Sequence, residues 1–429
     1  MTRTHPRTRH RPHSHHTPHT PLTPLTVIGG GLAGLTAAIA AAEAGAKATV
    51  YAAHHTLGGR GRTAEGPYRT NDGPHALYSG GPHWTWLTRR DLIGPLAPLP
   101  PLEAARFHFR HQGTLRRTPP LAMLKLLRRS AQQAPVDVDF MTWATEQAGE
   151  KGALAAAHYS AVTLFHHDPG TLSAAFVQER LRRAAALPPE AQHPRGGWAA
   201  VIDRMAARAW NLGVRMETLS RVDTLPTDTP VIVATSLDAA RSLLNDDTLT
   251  WTGARTVLLD LAVRTRRGDP YVVSDLDAPG RLERFTAQDH TLAPPGEQLL
   301  QGQFPIAPGA SRAEGVARAE ELLDLAFDSW RERVTWRREA TSNGRTGAVD
   351  LPGTSWRDRP AIERGDGVYL AGDQVAAPGV LAEVSFNSAL TAVSLALGTR
   401  RLHGRPKPLG PLGPLGPHDP LGPLDLKQA

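Results

Sequence analysis

Gly29, Gly31 and Gly34 stand in the spacing Gly-x-Gly-x-x-Gly, between a short apolar run and an alanine-rich stretch of helical character. That spacing suits a dinucleotide pyrophosphate. The first glycine permits a tight turn, the second lets the backbone approach the phosphates, and the third lets helix and strand pack closely. A helix beginning there presents free N–H groups and a partial positive charge to an anion. Gly58, Gly59 and Arg60 follow in "LGGRGRT". These glycines again allow close backbone approach, and Arg60 and Arg62 add planar donors suited to phosphate. Far downstream, Gly372 and Asp373 close the phrase "GVYLAGD" at the end of an expected strand and ahead of a helix. An Asp there can accept hydrogen bonds from a polyol chain, and the helix N-terminus can stabilise negative charge on a bound ring. One group is missing. The second strand of a dinucleotide-binding β-α-β unit usually ends in an acid that holds a ribose, whereas here Thr49-Val50-Tyr51 runs into Ala52.

The elements that must position these residues alternate between strand and helix. A strand over 25–28 leads to a helix over 32–43, then Gly45 as helix cap and a strand over 48–51. Residues from about 86 to 190 read as mostly helical. Within them 121–132, "LAMLKLLRRSAQ", is amphipathic and basic. It is compatible with a membrane surface, although a core-facing helix is the commoner arrangement. A helix over 198–210 precedes Gly213, followed by the strands "VRMET" and "VIVAT". Residues 253–345 mix strands with one helix over 313–330, and a last helix covers roughly 383–397.

The chain has 429 residues, enough for two domains or one large α/β domain with an insertion. It has no cysteine, which removes disulfides, thiolate chemistry and Cys-ligated metals and fits a cytoplasmic setting. No apolar run approaches the length of a membrane span, and the basic start continues into His, Pro and Thr, unlike a signal peptide. The formal charge is +7, but residues 1–24 carry four Arg and no acid, and 404–429 carry three cations against two acids. The body is therefore nearly balanced, and no aromatic-and-basic motif asks for specific nucleic-acid recognition. The His13, His15 and His16 cluster lies in a low-complexity tail over 1–22 and reads as a solvated segment, not a metal site. The Pro-Leu-Gly repeats of the other tail are too few for a collagen-type helix and read as an extended segment.

Together these phrases resemble the flavin-containing amine oxidase and phytoene dehydrogenase-like superfamily, in particular its bacterial phytoene dehydrogenase-related branch. "NDGPHALYSGG" is similar to the segment that follows the Gly-Gly-Arg turn in such proteins. "PRGGWAAVIDRMAARAWNLGVRMET" resembles their re-entry into the cofactor domain, and "RPAIERGDGVYLAGD" their closing motif. The resemblance implies an α/β fold in which a Rossmann-like FAD-binding domain is built from 23–85, 191–249 and 346–402. An inserted α+β substrate domain would come from 86–190 and 250–345, with tails over 1–22 and 403–429. It implies FAD as cofactor, with Gly29, Gly31 and Gly34 along the pyrophosphate and Gly58, Gly59 and Arg60 on the pyrophosphate-flavin side. Gly372 and Asp373 would lie at the ribityl chain, and Val222 would meet adenine through its backbone. The family's ribose-binding Glu falls on Ala52. A lost carboxylate there would contribute roughly 1.5–3 kcal/mol, so FAD should be held about tenfold to hundredfold less tightly. His54 or His55 could replace it in part.

What the resemblance implies for reaction is an FAD-dependent oxidoreductase that takes hydride or electrons from a small molecule. Amine oxidases of the superfamily set a lysine near the flavin. This chain has only Lys47, Lys125, Lys151, Lys407 and Lys427, none within 253–345, and no aromatic residue between Asp373 and Phe386. Those absences favour a desaturase-like enzyme with an apolar substrate over an amine oxidase; a flavin-free descendant acting as a binding or scaffold protein stands as the alternative from a different class. No general base is assigned. His75 in "GPHALY" is a conceivable contact near the ring.

Overall fold

The computed structural model describes residues 23–401, except 72, 74–75, 129–132, 187, 251–252, 344–346 and 380. His75, both tails and the end of the basic segment therefore lie outside the described residues.

The strands in chain order begin with β1 (Thr23–Ile28), β2 (Ala46–Tyr51), β3 (Leu77–Tyr78), β4 (Phe107–His111) and β5 (Thr114–Arg116). They continue with β6 (Ala191–Gln192), β7 (Arg215–Glu217), β8 (Val231–Val233), β9 (Arg255–Arg264) and β10 (Val272–Asp275). The last are β11 (Gly280–Arg284), β12 (Glu297–Ile306), β13 (Val334–Asn343), β14 (Glu363–Gly365) and β15 (Val368–Leu370). The helices are α1 (Leu32–Glu43), α2 (Pro82–Thr88), α3 (Pro101–Ala104), α4 (Leu121–Leu127), α5 (Phe140–Leu164) and α6 (Ala174–Ala184). They are followed by α7 (Trp198–Asn211), α8 (Leu237–Leu244), α9 (Arg312–Ala326), α10 (Trp330–Arg333) and α11 (Ala382–Arg401).

One six-stranded sheet has the order β14-β15-β8-β1-β2-β7. Its inner pairs are parallel, and only the edge pair β14–β15 is antiparallel. Parallel neighbours need crossover connections, and α1 makes the first of them, from β1 to β2. The alanine-rich sequence of α1, "LAGLTAAIAAAE", explains its position. Nine consecutive residues, Ala33 to Ala41, are buried, so the helix packs between α11, α7 and the sheet where larger side chains would not fit. Trp86, Leu87, Leu92 and Ile93 join this core, beyond the boundary at residue 85 expected from the sequence.

The second sheet has seven strands in the order β13-β9-β12-β11-β10-β4-β5. Its two faces differ. Val257, Leu259, Leu261, Val263, Leu282, Leu300 and Phe304 pack on Ala319, Leu322 and Leu323 of α9. The alternate positions carry Asp260, Arg281, Glu283, Gln301 and Gln303, brought side by side by the antiparallel register. Asp260, Glu283, Gln301 and Gln303 are all buried. A period-two strand pattern accounts for both faces.

The stretch 86–190 is helical as expected, apart from β4 and β5. "FHFRH" does alternate aromatic and polar residues over Phe107 to Arg110, a short strand signal that the helical reading passed over, and β4 pairs in parallel with β10, Val272 opposite Phe107. Helix α4 ends at Leu127 and buries Met123 and Leu126 against α5, while Leu121 stays exposed. Among the described residues no helix is long and apolar enough to cross a membrane.

Candidate cofactor and substrate site

The two glycine turns meet at the carboxyl ends of β1 and β2. Gly29 has φ +117°, and a side chain on it would strike the Ala234 carbonyl just beyond β8. A side chain on Gly34 would strike the Gly29 carbonyl. First and third glycines are thus demanded by the fold itself. Gly31 is different: a Cβ there would find only the Gly59 Cα, at 3.9 Å. The second glycine borders open space, which is the side from which a phosphate would approach. Gly31 also caps α1 with no side-chain hydrogen bond, and no acid stands in the first turn. The first N–H groups of α1 are therefore left for an outside acceptor. Gly58 N–H donates to the Gly30 carbonyl at 2.8 Å, and Gly58 and Gly59 take φ +106° and +55°. These backbones fit a pyrophosphate.

Residues 313 positions apart close the other side. Arg60 Nη2 donates to Asp373 Oδ1 at 2.6 Å. The Arg60 side chain stays exposed, and the Asp373 carboxylate raises its guanidinium pKa above the ordinary value. Asp373 is held in place by the sheet: Ala371 N–H donates to Val233 O at 2.9 Å, and Gly372 N–H to Ser388 Oγ at 2.9 Å. The structure thus brings together Gly31, Gly58, Gly59, Arg60, Gly372 and Asp373. One oxygen of Asp373 is already committed to Arg60.

The corner expected to hold a ribose is apolar. Ala52 is buried, and its N–H and C=O are taken by Glu217 O and Ser220 N. A Cβ on Gly30 would lie 2.9 Å from the Ala52 Cβ and 2.6 Å from a Leu57 methyl carbon. His54 and His55 are exposed. Val222 lies two residues past the Ser220 contact, half-buried against the first core. Among the described residues its main-chain N–H and C=O have no hydrogen-bond partner.

The first turn of α11, the helix start expected to face a bound ring, holds Glu383, which is buried. Arg183 of α6 grips both Glu383 oxygens, at 2.8 and 2.6 Å, and donates to Glu190 at 2.7 Å. His83 Nδ1 lies 3.6 Å from the same carboxylate. Burial holds the His83 pKa below the ordinary value, although Glu383 pulls the other way. The carboxylate was present in "LAEVSF", but its partner 200 residues away was not legible.

Sequence reasoning also missed a cluster around Tyr78. The pair β3–β6 places Tyr78 beside Ala191, with the Arg183 guanidinium over its ring at 5.4 Å. Burial pushes the Tyr78 phenol up, while Arg281, Arg180 and Arg183 pull it down. Burial likewise pushes Tyr159 up, against the pull of Arg281. The signal in the sequence was "FVQERLRR", where Arg180 falls on the helical stripe of Phe176, Val177 and Leu181, which is buried.

Comparison with known proteins agrees with this architecture. Residues 27–90 match the family described as NAD(P)-binding Rossmann-like domain. No curated protein matches the chain in sequence. Among solved structures, an oxidoreductase from Methanosarcina mazei superposes with TM-score 0.69 at 17% identity, covering 87% of this chain and all of that one. A protein described as a putative protoporphyrinogen oxidase from Exiguobacterium gives 0.63 at 16% identity, over 88% of this chain and 99% of its own. Cyclohexylamine oxidase from Brevibacterium oxydans gives 0.63 at 17%, over 89% and 100%. At these identities the likeness establishes a shared fold: a mixed α/β structure with a Rossmann-like domain.

Proposed function

We propose that this protein is an FAD-dependent oxidoreductase acting on a small molecule. The observation that carries the reading is the convergence of an uncapped α1 N-terminus, two glycine turns in contact, and the Arg60–Asp373 pair from the far end of the chain. Superposition on structures described as oxidases and an oxidoreductase supports it. In this reading Gly29, Gly31, Gly34, Gly58 and Gly59 hold the pyrophosphate. Arg60 holds Asp373 in place for the ribityl chain, and Val222 offers its backbone to adenine. Bound FAD would supply reversible uptake of hydride or electrons, while the protein supplies position, electrostatics and exclusion of water.

For the substrate, the desaturase-like reading with an apolar molecule has less support than the sequence suggested. The Asp260–Arg281–Glu283–Gln301–Gln303 face of the second sheet offers buried polar groups in place of an apolar wall. The amine oxidase alternative still lacks a lysine within 253–345. A flavin-free descendant is favoured by two features, the apolar corner at Ala52 and the buried acid in the first turn of α11.

Flavin absorbance after incubation with excess FAD and gel filtration tests the proposal. A yellow protein bleached by a reductant under anaerobic conditions is expected. A protein that stays colourless at saturating FAD would sink it and favour the scaffold reading.

A further inference from the structure

Of the four outer strands that bound the two large sheets, three are short. Strands β5, β7 and β14 have three residues each, whereas β13 has ten and pairs with β9 alone. β9 is buried from Thr256 to Val263, but no residue of β13 is buried. The N–H and C=O groups of an open edge can accept another strand, so proteins shorten such edges, cover them or place proline in them. β13 is long, contains no proline, and carries only a bulge beside Thr335 and the charges Arg337, Arg338 and Glu339.

The order of those charges selects a partner. Arg338 turns to the polar face, where its Nε donates to Asp260 Oδ2 at 2.7 Å. Arg337 and Glu339 lie on the other face and pair with each other at 2.7 Å, with Glu320 of α9 also 2.7 Å from Arg337. A second copy laid antiparallel on β13 by a two-fold axis keeps like faces together. The axis must then pass through a residue position, not between two. Set on Arg337 or on Glu339, it brings two like charges face to face, which is unfavourable. Set on Ala340, it offers them only the neutral Thr341 and Asn343. Set on Arg338, it places Arg337 of each copy opposite Glu339 of the other, and Trp336 opposite Ala340. The two intrachain pairs then join into a ring of four alternating charges, while Asp260 neutralises each Arg338 at the axis. The Pro-Leu-Gly repeats at the end of this chain lack the regular N–H donors that a ladder strand needs.

We propose that β13 is the edge through which two copies of this chain pair, antiparallel, with the two-fold axis at Arg338. The two seven-stranded sheets then run on as one. The inference goes beyond the cofactor reading and does not rest on it.

Sedimentation velocity of the full-length protein at concentrations up to about 100 µM tests it. A concentration-dependent dimer is expected. Arg337→Glu sets acid against acid across the axis, and Glu339→Arg sets guanidinium against guanidinium. Each variant alone should dimerise about tenfold more weakly, or worse. An equimolar mixture of the two should dimerise again, because every acid then faces a guanidinium. Thermal melts identify a variant that has failed to fold. In that event Thr341→Cys, carrying a nitroxide on this cysteine-free chain, takes over the test. In the paired sheet the two Cα atoms at that position lie roughly 20 Å apart. A monomer throughout the range, reversals that leave the dimer within about twofold of the parent, a mixture that stays monomeric, or a much longer label separation would each overturn the proposal.

Discussion

Helices α1 and α11 each begin near the carboxyl end of a strand in the same sheet, after β1 and after β15, and they pack against each other. Their first turns are opposites. That of α1 has no acid and no capping side chain; that of α11 holds the buried Glu383, clamped by Arg183. Equal helix dipoles have thus been given different uses. One is left open to an outside anion. The other carries a buried acid whose ion pair with Arg183 ties α6 to α11.

Breaking the internal tie should have the largest effect. Glu383→Gln leaves Arg183 buried with only Glu190, and removing one partner of a buried pair typically costs about 3–5 kcal/mol. Urea unfolding would measure it, and a loss below about 1 kcal/mol would mean that the pair is structurally minor. Gly34→Ala attacks the open terminus instead. The added methyl meets the Gly29 carbonyl, so we expect a loss of about 1–3 kcal/mol together with loss of FAD retention.

Sharpening the contrast calls for Ala52→Glu. The new carboxylate should tighten FAD about tenfold to hundredfold through the ribose hydroxyls, read as flavin retained after dialysis. Unchanged retention would show that Leu57, packed beside Ala52 against Gly30, keeps the ribose away from that corner. The smallest effect should be on pH dependence. Burial depresses the pKa of both His83 and His193. The unfolded chain binds protons at these histidines near the ordinary value of about 6.5, and the folded chain resists. Their contribution to stability is therefore fully present above that pH and declines as pH falls toward the depressed values. A melting temperature that rises on acidification from about pH 7 to 5.5 would contradict this.

Legibility in the sequence followed the range of the interactions. Helix α1 was readable to the residue because its glycines, alanines and cap are local. The absence of an acid at position 52 was equally plain, yet the Leu57 methyl packed beside Ala52 against Gly30 was not. The aromatic-polar alternation of "FHFRH" was a local strand signal, but its pairing with β10, more than 160 residues away, was not legible. Arg60 and Asp373 were each singled out for a separate role, while their ion pair spans 313 residues. Arg180 lay in plain view as an arginine on an apolar stripe, and only the fold shows that its Nε and Nη1 find no partner among the described residues.

The hydrogen bond from Gly58 to the Gly30 carbonyl has a kinetic meaning. It joins the two glycine turns to each other directly, so if they hold a pyrophosphate as proposed, that platform exists before any nucleotide arrives and little ordering entropy would be lost on binding. Capture should then run at an ordinary rate, and the weakness at Ala52 should fall on escape, where most affinity differences between related complexes reside. A flavin on this platform would behave as an exchangeable ligand with a short residence time, loading and unloading as its free concentration changes.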